Sequence, residues 1–281
     1  MKALVVGIVG ESVFMKCDHF HQEGETIRVD NIYKEIGGKG FNQALTIHSL
    51  GGDVTFVCSL GSDSIKNNTV DEMNKLGINY KCFIDPKHGS PYATILTNKC
   101  GDNRVSVYSG SKLKQDDLNE IYQEIDKAEY ILLQLEIPYE INLSIAKYAK
   151  SKNKIVVLNP APVMDIAELL DYVDIITPNE IEVVTLFGEN YQDILLNKPF
   201  KTIVTRGSKS TLLIDNLIKE FETEKVDVVD TTGAGDAFNG ALVYKLLQNE
   251  LLEDAIKFGQ SCASKTVTYN YVLPGILALK K

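Results

Sequence analysis

Short runs of β-branched residues recur along the whole chain, separated by stretches with helical spacing. Ala3 to Val9, Val54 to Leu60, Tyr130 to Leu135, Ile155 to Leu158, Val173 to Ile176 and Thr202 to Val204 read as strands buried on both faces. Between them, Phe41 to Leu50, Leu143 to Lys150 and Leu251 to Thr268 carry apolar residues at helical spacing. Strands that alternate with helices predict βαβ units and an α/β fold with a mostly parallel sheet. Two stretches break the rhythm. Thr26 to Ile36 and Pro91 to Tyr108 read as antiparallel pieces, the second a hairpin turning at Asn98-Lys99-Cys100-Gly101-Asp102-Asn103. With no repeat and no linker in 281 residues, one domain over 1–281 is expected, with these pieces inserted as segments of about 12–36 and 88–109.

Composition excludes several classes. Apolar residues make up 44% of the chain, enough for a core that needs no disulfide or structural metal. Lys plus Arg is 29 against 38 Asp plus Glu, a net charge of −9 that argues against nucleic-acid binding. No apolar run is long enough to span a membrane, and the opening Met1 to Gly10 reads as a buried strand rather than a signal peptide. The cysteines Cys17, Cys58, Cys82, Cys100 and Cys262 are scattered without metal spacing, as expected of reduced thiols in the cytoplasm.

Chemistry concentrates in two segments. In Asp230-Thr231-Thr232-Gly233-Ala234-Gly235-Asp236-Ala237-Phe238-Asn239-Gly240, a strand at Val226 to Val229 would lead into a helix at Ala237 to Leu247. Small residues at such a junction let backbone N–H groups converge on an anion, aided by the helix dipole. Asp236 sits in the first turn, where it would take a proton from an attacking hydroxyl or merely cap the helix. In Gly37-Gly38-Lys39-Gly40-Phe41-Asn42-Gln43-Ala44, glycines precede another helix. Gly40 stands where a Walker A loop needs Ser or Thr, so this is another kind of ligand loop or a glycine turn with a solvated Lys39. Polar residues also gather after four strands: Gln134 to Pro138, Asn159 to Pro162, Thr177 to Glu182 and Thr205 to Lys209. Ligands bind beyond the carboxyl ends of parallel strands.

The segment from Asp230 to Gly240 closely resembles the C-terminal signature of the ribokinase-like (pfkB family) sugar kinases, and Gly37 to Ala44 resembles their N-terminal signature, nearest the ribokinase branch. The strand-end segments match in the same order, from the first strand to the last helices. The resemblance implies a three-layer sandwich with a small β-sheet lid, and ATP-dependent phosphoryl transfer to a small sugar. Asp236 would be the base, and the N–H groups of Gly233, Ala234 and Gly235 the anion hole. Gly37, Gly38, Lys39, Asn42 and Glu136 would hold the sugar, with Ser12 from the lid. Asn179, Thr205, Gly207, Ser208 and Gln260 would meet ATP, and Glu182 would help hold Mg²⁺ through water. Asp230 and Thr232 would begin a monovalent-cation loop. Pairing through the lid strands would make a homodimer and cover a sheet edge.

Two places depart from the family. Counted back from Gly24-Glu25-Thr26, the lid Asp that grips sugar hydroxyls falls on Ser12. Ser12 offers one hydroxyl in place of a carboxylate, with Asp18 as a substitute from the next loop. In Thr268 to Gly275, tyrosines replace the Arg/Lys-Gly pattern of the cation loop, which counts against K⁺ activation. Ribose is the nearest acceptor. Fructose and a nucleoside (stacked on Phe14, Tyr92 or Tyr108) are the alternatives, as is a sugar phosphate held by Arg28 and Arg104. A non-catalytic sugar- or nucleotide-binding relative is the reading from another class. A nicotinamide dehydrogenase is disfavoured, because no Gly-x-Gly-x-x-Gly follows the first strand.

Overall fold

The computed structural model describes residues 1–100 and 102–280, so Gly101 of the expected hairpin turn lies outside the described residues. The chain runs β1 (Lys2–Val6), β2 (Gly10–Lys16), β3 (Asn31–Gly37), α1 (Lys39–Ser49), β4 (Asp53–Leu60), α2 (Ser64–Leu76), β5 (Tyr80–Ile84), β6 (Tyr92–Thr97) and β7 (Asn103–Tyr108). It continues through α3 (Leu118–Asp126), β8 (Tyr130–Gln134), α4 (Tyr139–Ser151), β9 (Ile155–Asn159), β10 (Ile175–Ile176), α5 (Glu180–Phe187) and α6 (Tyr191–Leu195). The last elements are β11 (Lys201–Val204), β12 (Thr211–Ile214), β13 (Ile218–Phe221), α7 (Ala234–Leu247), α8 (Leu252–Thr266) and α9 (Val272–Leu277).

The main sheet has the order β13-β12-β11-β10-β9-β8-β1-β4-β5. It is parallel from β11 to β5, and β12 and β13 close one edge antiparallel. Side chains on β1 alternate between two cores, as the pleat requires. Leu4 and Val6 pack with Ile121 and Ile125 of α3 and Ile145 of α4. Ala3 and Val5 pack with Phe41 and Leu45 of α1, Phe238 and Leu242 of α7 and Ile256 of α8. Each fully buried Leu or Phe contributes about 1.5–3 kcal/mol, so both faces of the sheet are strongly held. The expected sandwich of helices on both faces of a mostly parallel sheet is what forms.

A second sheet has the order β3-β2-β6-β7. Its outer pairs are antiparallel, but β2 and β6 pair parallel, so the two inserted pieces meet side by side rather than as one antiparallel run. The expected strand from Thr26 begins only at Asn31.

Two other expectations are corrected. The first strand stops at Val6 rather than Val9, and the chain leaves the main sheet at Gly7 to start β2. Gly7 is pressed against α1: a Cβ on it would lie 2.7 Å from the Gly40 Cα, so helix and strand meet backbone to backbone. Val226 to Val229 is not a strand; Val228 and Val229 are exposed at 56% and 53%. β13 already forms that edge of the main sheet, and the segment instead hangs on two bonds from Val229 and Asp230 N–H to the Val267 carbonyl.

Candidate active site

Two helix starts face each other. Asp236, in the first turn of α7, is 6% exposed, and its carboxylate does not cap the helix. Its Oδ2 accepts from Asn42 Nδ2 (2.8 Å) and its Oδ1 from Gln43 Nε2 (3.1 Å), both on α1. The capping alternative is thereby settled against, since the carboxylate turns away from its own helix. A second layer fixes those amides. Gln134 Nε2 donates to Gln43 Oε1 (2.6 Å), and Gln43 Nε2 also reaches Asn159 Oδ1 (3.2 Å). Thr177 Oγ1 donates to Asn239 Oδ1 (2.6 Å), and Asn239 Nδ2 to the Gly235 carbonyl (2.8 Å). These bonds link the buried amides to one another and to Asp236 and so hold them in one geometry, although Gln134 Oε1 itself has no partner among the described residues.

The helix start itself is glycine-dependent. Gly233, the N-cap of α7, has φ +78°, and a Cβ there would lie 2.5 Å from Val272 Cγ1. N–H groups of a first turn have no acceptor within their helix, which is why they serve anions. Ala234 N–H turns back to the Thr231 carbonyl at 3.3 Å.

A cavity of about 220 Å³ opens beside Asp236, lined by Lys39, Asn159, Asn179, Glu182, Thr205, Thr231, Gly233, Gly235 and Asn239 among others. Lys39 is held in its ammonium form above the usual lysine range, first by the Asp236 charge against the cost of burial, then by Glu136 and Glu182. Glu136 accepts the Lys39 N–H at 2.9 Å. Burial pushes Glu136 up to about 7; Lys39 opposes that rise and Asp236 adds to it. Glu182 is likewise raised by burial, with the Asn179 N–H and Lys39 opposing. The charges of three carboxylates thus act on one ammonium.

Asn179 and Glu182 also form a capping box on α5. Asn179 Oδ1 accepts from Ile181 and Glu182 N–H, and Glu182 Oε2 accepts from Asn179 N–H at 2.8 Å. A cap of this kind contributes about 0.5–2 kcal/mol, so these residues carry stability as well as cavity lining.

The other sequence-predicted residues are spread unevenly. Gly37 and Gly38 lead directly into Lys39, and Asn42 lies one turn on. Gly207 and Ser208 lie on an exposed turn after β11, outside the cavity lining, although Thr205 belongs to it. Gln260 is 6% exposed and stays out of the cavity: its Nε2 is spent on Thr211 Oγ1, the Phe221 carbonyl and Thr223 Oγ1, tying α8 to the sheet edge. Ser12 lies on β2 opposite Glu35 and does not line the cavity. Asp18 is paired with Lys99 beyond the ends of β2 and β6 and is exposed. Asp230 accepts N–H bonds from Thr232 (2.9 Å) and Tyr271 (3.3 Å). Gln43, which the sequence offers beside Asn42 as an amide donor, binds Asp236, whereas Asn159, Asn239 and Thr231 were given no individual role from sequence. The available signal was a polar amide inside an apolar helical pattern, as in Gln43 and Asn239, which burial makes costly unless it is bonded.

A buried carboxylate in the first turn of a helix, beside a cavity, is an arrangement that suits a kinase acting on small alcohols. The profile of "pfkB family carbohydrate kinase" matches residues 2–276. A ribokinase of Staphylococcus aureus (strain COL) is 32% identical over 95% of this chain and 93% of its own length. A ribokinase structure from Thermotoga maritima superposes with a TM-score of 0.87 at 31% identity, covering 99% of this chain and 98% of that one. A structure of Arabidopsis thaliana ribokinase complexed with ribose and ATP gives 0.85 at 26% identity, covering 99% and 98%. The chain belongs to the pfkB family of carbohydrate kinases.

Proposed function

We propose that this kinase transfers the γ-phosphoryl group of ATP to a hydroxyl of ribose, with Asp236 as the base. The observation that carries the reading is the Asp236 carboxylate, held by Asn42 and Gln43 at the first turn of α7 beside the cavity. Phosphoryl transfer asks a protein chiefly for positioning and charge stabilisation. Asp236 accepts the proton of the attacking hydroxyl, and the N–H groups of Gly233, Ala234 and Gly235 receive the phosphoryl oxygens. Ala234 N–H leaves the Thr231 carbonyl to do so. Gly37, Gly38, Lys39, Asn42 and Glu136 hold the sugar, and Asn179, Thr205, Gly207 and Ser208 meet ATP. Glu182, which lines the cavity, would hold Mg²⁺ through water, where the ion neutralises phosphate charge. Asp230 already has backbone donors from Thr232 and Tyr271, which supports a loop that works without K⁺.

The second sheet serves as a lid that limits water at the site. Its β7 presents Val105 and Val107 at 57% and 59% exposure, which supports pairing of two copies through the lids. Sedimentation should give twice the 31.2 kDa chain mass, and a monomer mass at working concentration would refute the pairing. Cytoplasmic placement is part of the same reading and is supported by five free cysteines. Among the described residues, no helix is long and apolar enough to cross a membrane.

The acceptor is tested by ADP release with MgATP, with and without K⁺, over ribose, deoxyribose, fructose, fructose 6-phosphate, adenosine and pseudouridine. Ribose is expected to give the highest kcat/KM, with little response to K⁺. A higher value on another acceptor would reassign the substrate.

A further inference from the structure

Glu35 lies on β3 of the second sheet and is 7% exposed. Its two oxygens accept from the first N–H groups of α9: Val272 to Oε1 (3.1 Å) and Leu273 to Oε2 (3.0 Å). This contact joins two segments 237 residues apart. Aromatic packing reinforces it. Tyr33, two residues earlier on β3, stacks on Tyr271 with ring centres 3.9 Å apart, and Phe14 of β2 meets Tyr271 edge-on at 5.1 Å. Tyr271 has φ +66° and gives its N–H to Asp230, four residues before Ala234. Val272 turns its side chain onto Gly233, leaving no room for a Cβ there. One path of contacts therefore runs from Glu35 through Val272 to Gly233.

We infer that Glu35 is a positioning residue of this kinase: by holding Val272 it braces Gly233, so the second sheet and the anion loop are set as one unit. The inference rests on the kinase reading above. A carboxylate that takes two backbone N–H groups holds them more strongly than a neutral acceptor does. The Val272 backbone is thereby fixed, and its isopropyl group backs the left-handed turn from which α7 starts. Burial pushes Glu35 up to about 7 against those two bonds, and the Asp230 charge adds to the rise. The protein thus keeps a costly buried carboxyl group at this spot, where an apolar contact would serve simple packing better.

The test is a double-mutant cycle on the full chain, with MgATP and ribose. Glu35→Ala should lower kcat at least tenfold and leave the KM for ATP within twofold. Glu35→Gln, which keeps one acceptor oxygen, should fall between it and the wild type, and it carries the test if Glu35→Ala does not fold. Val272→Ala should give a similar loss, and the double variant should be no more than about twofold worse than the poorer single one. Amide hydrogen exchange over residues 230–236, read without any acceptor, should be faster in both single variants. That arm stands even if ribose proves the wrong acceptor. Unchanged kcat in the Glu35 variants, multiplying losses in the double variant, or unchanged exchange at 230–236 would each overturn the inference.

Discussion

Asp236→Asn is expected to lower kcat by about 10²–10⁴-fold, the range that a positioned general base supplies. The fold should survive, because the substitution keeps the shape and the site can rearrange its bonds. Gln43 is fixed by Gln134 and Asn159, so it still donates to the one remaining oxygen at position 236. Asn42 then flips its amide and accepts from the new NH₂ group. A coupled assay for ADP release reads the loss, and a thermal melt and MgATP titration check that the site is otherwise intact. A non-catalytic binding protein would lose no turnover and keep its affinities. Residual turnover within tenfold of wild type would remove Asp236 as the base.

Glu136→Gln is expected to raise the KM for the sugar by about 10- to 100-fold, the worth of one hydrogen bond to a charged group, and to flatten its pH dependence. Glu136 is pushed up to about 7, chiefly by burial. Above that pH it is an anion that accepts the sugar hydroxyl, and below it the neutral acid accepts poorly. The sugar KM of the wild type should therefore rise as pH falls through about 7, with the KM for ATP following a different profile. The stability effect has the opposite sign. Between the ordinary glutamate value of 4.5 and about 7 the folded state binds the proton more tightly than the unfolded chain, so stability falls as pH rises through that window. Glu136→Gln should accordingly raise Tm at pH 8 and change it little at pH 4. A sugar KM that is independent of pH, or unaffected by the substitution, would remove Glu136 from the sugar site.

Much of this site was legible because its residues are local in sequence. Gly233 to Asp236 and Gly37 to Asn42 each form a helix start within a few residues, and helix starts depend on nearest neighbours. The capping box of Asn179 and Glu182 is local for the same reason. The position of Gln260 on a helix does not say which edge that helix covers; three acceptors from β12, β13 and the following loop engage its Nε2. Val226 to Val229 has strand composition but no partner strand, and composition does not reveal that the sheet edge is already taken.

The alternation of strands with helices, the burial of the first strand on both faces and the identity of the two helix starts were contained in the sequence, because period, turn chemistry and motif spacing act over short range. The tertiary structure decided what those starts face. It set Asp236 against Asn42 and Gln43, 194 and 193 residues away, and Glu35 against Val272, 237 residues away. Such pairings arise only when two sheets and their helices pack. Their energy comes from burying a polar group against one particular partner, and no local pattern in the chain names that partner.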